Sequence, residues 1–194
     1  VDSVGNFNRL VFRIAFFIGA VFLAFCTGSK LDGHGQELRV FIKDLLEAVR
    51  SAALCELART MEGEIAKMRR GKTGGEAARA NLRAVGTGYL RFALAETGLF
   101  GTAFATPEFR GFIGDPARSG ESGLNPFQLL SRALDEFVES GLLPTTRRPA
   151  AEFLAWSAVH GFAMLVIDGP LHTVPRADID GIGARGIAMV EAGL

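Results

Sequence analysis

Residues 150–167 read AAEFLAWSAVHGFAMLVI, eighteen positions in which only Glu152, Ser157 and His160 are polar. The run contains no proline. Its apolar residues recur at three- and four-residue steps rather than alternating, which is the helical period. Phe153, Trp156, Val159, Met164 and Ile167 fall along one side, and Ala151, Ala155, Ala158 and Phe162 along another. A helix that is apolar on nearly every side must be central, or be covered on its second face by a partner chain. The small residues favour the second reading, because they let another helix approach closely. Ala151, Ala155, Ala158 and Phe162 are therefore expected at a dimer interface, together with Phe137 of the preceding helix.

The neighbouring segments are also helical. Asn125-Pro126 supplies an N-cap and a first-turn proline, with Gln128 at the reciprocal capping position. Phe127, Leu130, Leu134, Phe137 and Val138 then form one face, and Gln128, Ser131, Arg132, Asp135, Glu136 and Glu139 the other. A final helix is expected from about Ala177 to Ala192. Upstream, Asp44 and Glu47 have capping-box spacing and open a helix with an apolar stripe of Leu46, Val49, Ala53, Leu57, Met61, Ile65 and Met68. Arg69, Arg70 and Gly71 close it. A second helix follows Gly74-Gly75, carries Leu82, Val85, Tyr89 and Phe92, and ends near Gly98. Gly86 and Gly88 weaken it by about 1 kcal/mol each relative to alanine, unless a close-packed neighbour compensates. Between Leu99 and Gly123 a short helix and a long loop are expected, with Phe100, Phe104, Phe109 and Phe112 set among Gly, Pro and Thr. No stretch alternates as a strand would. The fold class is all-α.

Composition removes several classes of function. Basic and acidic residues balance at 21 each, so no overall field points to a polyanion. Cys26 and Cys55 stand far apart, and with three histidines (His34, His160, His172) there is no HExxH motif and no metal-ligand grouping. Neither a metal nor any other cofactor is expected, and a reducing cytoplasm is the simplest location. Catalysis has no constellation behind it. His160 has no Ser, Cys or carboxylate placed to work with it, and Glu152 is two turns away; a core histidine held by a hydrogen bond is the plainer role. Residues 10–26, LVFRIAFFIGAVFLAFC, resemble a secretory or membrane segment in hydropathy. They fall short of the roughly 20 residues a span needs and contain Arg13, while Phe25 stands where a lipoprotein signal requires a small residue.

Two separated motifs, YLRFALAETGLF (89–100) followed by Ala103-Phe104, and AWSAVHGFAMLVIDGPL (155–171), resemble the C-terminal regulatory domain of TetR-family transcriptional regulators. The resemblance is to the subgroup marked by a Trp/His/Gly motif, here Trp156, His160 and Gly161, and with the helix order it covers about three-quarters of the chain. It implies an N-terminal three-helix, helix-turn-helix DNA-binding head at residues 1–44 and a ligand-binding and dimerisation body at 45–194. It also implies a four-helix bundle between two copies, made here by about 125–141 and 150–167. The expected activity is that of a repressor, which binds operator DNA as a homodimer and is released by a small apolar effector.

The head departs from the family pattern L-Y-x-H-F-x-x-K-x-x-L. The nearest match, Leu38, Phe41, Lys43 and Leu46, lacks the Tyr and His. Residues 1–50 hold six basic side chains (Arg9, Arg13, Lys30, Arg39, Lys43, Arg50) against five acidic (Asp2, Asp32, Glu37, Asp44, Glu47), a net of +1. Arg39 and Lys43 are the candidate phosphate contacts, with solvated surface charge as the alternative. The effector pocket is assigned to Tyr89, Phe92, Phe100, Phe104, Phe109, Phe112, Phe127, Trp156 and His160. Tyr89 and His160 would supply polar handles, and Trp156 either stacks on the ligand or packs. Two other functions fit the same residues: a dimeric ligand sensor without DNA binding, and a membrane-tethered protein anchored by 10–26.

Overall fold

A computed structural model describes residues 34–104 and 116–194, and every regular element among them is helical. The order is α1 (His34–Met68), α2 (Gly74–Ala95), α3 (Thr97–Phe104), α4 (Pro126–Glu139), α5 (Ala151–Ile167) and α6 (Arg176–Gly193), with single 3-10 turns at Pro116–Arg118 and Thr145–Arg147. The chain divides into two units between Asp44 and Leu45. Residues 1–33 of the expected DNA-binding head, including the apolar run 10–26, and Phe109 and Phe112 lie outside the described residues.

α1 corrects the expected start at Asp44. The helix begins at His34, and Asp44 sits within it. Residues 36–43 contain neither Gly nor Pro, so the helix runs through them, and Asp-x-x-Glu spacing occurs in helix interiors as well as at starts. Its inward stripe is Ala53, Leu54, Leu57, Ala58 and Met61, all buried, whereas Leu46 is exposed. Gly71, with φ of +75°, adopts the left-handed conformation after the helix end.

α2 is the central element and packs against α3, α4, α5 and α6. Its glycines permit this. A Cβ on Gly88 would come 2.6 Å from Met61 Cα, so α1 and α2 cross backbone to backbone there. A Cβ on Gly86 would come 3.1 Å from Ile187 Cγ1 on α6. α2 stops at Ala95 rather than Gly98, and α3 starts at Thr97.

α4 begins with the expected reciprocal cap. Asn125 Oδ1 accepts from the Gln128 backbone N–H at 2.9 Å, and Gln128 Oε1 accepts from the Asn125 N–H at 2.9 Å. Leu130, Leu134 and Phe137 face inward, with Leu129 and Ala133 also buried, while Arg132, Asp135 and Glu139 face water. α5 has no side-chain cap. Ala150 before it is held at φ +62°, a left-handed conformation that is strained for a residue with a Cβ.

Ion pairs tie the helices together. Glu191 of α6 is buried and accepts from Arg79 (2.6 Å) and Arg83 of α2. Glu64 of α1 accepts from Lys67 (2.9 Å) and from Arg91 of α2. Glu136 of α4 accepts from Arg69 (3.0 Å) and Asn81 (2.9 Å). None of these described helices is long and apolar enough to cross a membrane.

Candidate functional site

The core is not filled. A cavity opens among α2, α4, α5 and α6, with Met61 of α1 and Phe104 of α3 at its margin. The space between its walls measures about 600 Å³, part of which is open to solvent. α2 supplies Leu82, Val85, Gly86 and Tyr89; α4 supplies Pro126, Phe127 and Leu130; α5 supplies Ala155, Trp156 and Val159; α6 supplies Ile187 and Val190. The residues recur at three- and four-residue steps because each helix turns one stripe toward the centre. Gly86 leaves the wall thin at the point where Ile187 leans in.

Among the described residues, no carboxylate, lysine or arginine lines this space. Its polar side-chain atoms belong to Tyr89 and Trp156, and the two are bonded to each other. Trp156 Nε1–H donates to Tyr89 Oη at 3.1 Å, and Tyr89 Oη lies 2.7 Å from His160 Nδ1. Tyr89 is almost wholly buried. Burial pushes its phenol far above the ordinary value, against the weaker lowering effect of the Trp156 N–H, so the hydroxyl keeps its proton. Burial also pushes the His160 imidazole below its ordinary value of 6.5, which favours the neutral ring.

Aromatic rings hold this chain in place. Phe100 meets Tyr89 edge-on at 5.6 Å between centroids, and Phe104 meets His160 edge-on at 5.0 Å. Phe104 lies 5.9 Å from Trp156, and Phe127 meets Trp156 edge-on at 6.2 Å. Such tilted and edge-on pairs are the favoured aromatic geometries.

The residues expected at a pocket thus separate into groups. Tyr89, Phe104, Phe127 and Trp156 form part of the wall. Phe100 and His160 stand behind it, in ring contact with those residues but not in the lining. Phe92 points away into solid core and is 2% exposed. The helical wall from Met61, Leu82, Val85, Gly86, Pro126, Leu130, Ala155, Val159, Ile187 and Val190 was absent from the expected pocket. All but Gly86 and Pro126 on the unexpected list belong to apolar stripes, which in sequence look the same around a void as in a packed core.

The interface expectations shift in a similar way. Phe137, Ala151 and Ala155 are 1%, 0% and 5% exposed within one copy, so they have no surface to offer another. Ala155 faces the cavity instead. Ala158 and Phe162 are half-buried, and Phe162 packs near Gly183 of α6. Large apolar side chains left in water lie on α5 (Phe153, Leu154, Met164, Leu165), on α6 (Ile182, Met189) and on α1 (Val40, Phe41, Leu46). α4, expected as one of the two bundle helices, turns charged residues outward. Arg39 and Lys43 are exposed on α1.

The family model described as "Tetracyclin repressor-like, C-terminal domain" matches residues 82–190, more than half of the chain. The chain belongs to this family. It is a TetR-family regulator, and its cavity sits inside the matched C-terminal domain, bounded by helices α2 to α6 with one residue from α1. Comparison with curated proteins and with solved structures finds no match.

Proposed function

We propose that this TetR-family chain is a ligand-responsive repressor that binds operator DNA as a homodimer and releases it when a small apolar effector enters the cavity. The observation that carries the proposal is a cavity walled by side chains of six helices, with no charged side chain among the described residues that line it. Small-molecule sites are concave and mainly apolar, with a few polar groups that fix orientation. An effector that outgrows this cleft must part the walls. One wall is Met61, on the helix that continues back to residues 34–44, and it lies beside the tight α1–α2 crossing at Gly88. Displacing Met61 is the way occupancy reaches α1.

The homodimer is supported by the six large apolar side chains that α5 and α6 leave exposed, a number that favours an interaction surface on these helices. Two helices from each copy make a four-helix bundle. The Trp/His/Gly subgroup is supported by the joint placement of Trp156 and His160 around Tyr89. The chain acts in the cytoplasm with no enzymatic role and no membrane anchor.

The test is DNA affinity against salt, using the full chain and the DNA upstream of its own coding sequence. A repressor that neutralises several phosphates loses affinity linearly with log salt, about tenfold or more between 50 and 200 mM. Absence of binding at 50 mM salt removes the repressor reading. The net charge of +1 over residues 1–50 favours a second reading, a ligand sensor that does not bind DNA, and that result would select it.

A further inference from the structure

The Tyr89 hydroxyl has one hydrogen to give and two lone pairs to receive with. Trp156 Nε1–H occupies one lone pair. The 2.7 Å contact with His160 Nδ1 then has two solutions. In one, Tyr89 donates to a bare Nδ1 and the imidazole carries its hydrogen on Nε2. In the other, Nδ1–H donates to Tyr89, and the phenol hydrogen has nowhere to go but the apolar hollow. An unsatisfied buried donor costs about 1–3 kcal/mol, and among the described residues no acceptor side chain lines the cavity apart from the Met61 sulfur. The first arrangement therefore holds: Trp156 gives to Tyr89, and Tyr89 gives to His160. It leaves one lone pair on the oxygen and no hydrogen to offer a guest.

Resting on the reading of this cavity as the effector site, we propose that it selects an uncharged, mainly apolar molecule bearing a hydrogen-bond donor, an alcohol or phenol O–H or an N–H, which Tyr89 Oη receives. A charged guest would be left unpaired by the described lining, which has no ionised side chain. A guest offering only a carbonyl or ether oxygen would meet a lone pair, and could be served only by forcing the His160 hydrogen onto Nδ1. Trp156 and His160 thus determine specificity through Tyr89. Trp156 fixes which lone pair remains, and His160 holds the phenol hydrogen out of the cavity.

The chain has one Trp and one Tyr, so the indole N–H resonance and the tryptophan emission both report this site. Three probes of similar shape separate the possibilities: cyclohexanol (donor and acceptor), cyclohexanone (acceptor only) and methylcyclohexane (neither), each titrated into the full chain. Tyr89→Phe is expected to weaken cyclohexanol by about three- to tenfold, the worth of one net hydrogen bond, and to leave methylcyclohexane within about twofold. His160→Phe frees the phenol hydrogen and should strengthen cyclohexanone by about threefold or more relative to methylcyclohexane. Unchanged cyclohexanol affinity in Tyr89→Phe, with all three probes still shifting the indole signal, overturns the donor rule and leaves the cavity standing as a ligand site. No probe shifting that signal overturns both. Long-range proton–nitrogen spectra of the unliganded chain provide a second check that needs no variant: hydrogen on His160 Nε2 supports the relay, and hydrogen on Nδ1 overturns it.

Discussion

α4 and α5 are neighbours of similar length, yet they specify themselves in opposite ways. α4 carries its instructions locally: Asn125 and Gln128 cap each other, Pro126 starts the first turn, and charges along one side leave a single orientation toward the core. α5 carries almost none. It starts at a strained Ala150 without a side-chain cap, and nearly every side of it is apolar. Packing alone turns Ala151, Ala155 and Ala163 inward and leaves Leu154 and Leu165 in water. The difference shows that an element's orientation is readable when polar residues exclude the alternatives. When none are excluded, it must be decided by its neighbours.

The inner face of α4 offers the strongest way to break this contrast. Phe137 is 1% exposed in the main cluster, and Phe137→Ala should cost about 3–5 kcal/mol in chemical denaturation. A loss below 1 kcal/mol would mean that α4 is not seated as described. The outer face of α5 provides the counterpart. Leu154 is 65% exposed, so Leu154→Asp should leave the helical content of each copy intact while weakening self-association about 100-fold, the cost of an unpaired charge in an interface. Sedimentation equilibrium reads this directly, and an unchanged dimer would place the interface elsewhere.

The two helix starts sharpen the comparison on a smaller scale. Asn125→Ala should destabilise by about 1 kcal/mol, through loss of the cap. Ala150→Gly should do the opposite and stabilise by about 0.5–1 kcal/mol, because glycine adopts positive φ without strain. Thermal midpoints moving in the same direction for both variants would contradict the geometry.

The smallest expected effect concerns pH. Burial lowers the His160 pKa in the folded state, so between that value and 6.5 the unfolded chain binds more protons. Stability from this group is complete above pH 6.5 and is lost as pH falls through the folded value. His160→Phe should flatten that part of the profile. The separate loss below pH 4.5 should persist. It comes from Glu64, lowered chiefly by Lys67, and from Glu191, where Arg83 and Arg79 outweigh the opposing effect of burial.

Much of the body was legible in residues alone. Helix existence followed from apolar spacing, and α4 was readable to the residue at its start. The start of α1 was misread at Asp44, because a capping signature has no way to announce that the helix is already under way. At the site, Tyr89, Phe104, Phe127 and Trp156 were found, since aromatic residues at irregular spacing stand out. Ile187 and Val190 were not, because α6 sets them among Gly181, Gly183 and Gly186 with no aromatic residue to mark them.

The amino-acid sequence by itself determined that the chain is helical and that α4 has one inside and one outside. Only the tertiary structure decided that the centre is hollow, that Tyr89 joins Trp156 to His160 across 67 and 71 positions of chain, and which side of α5 meets water. The physical reason is that propensity, capping and amphipathic spacing act within a few residues. Voids and relayed hydrogen bonds exist only where distant segments meet, and no local pattern encodes the distance between them.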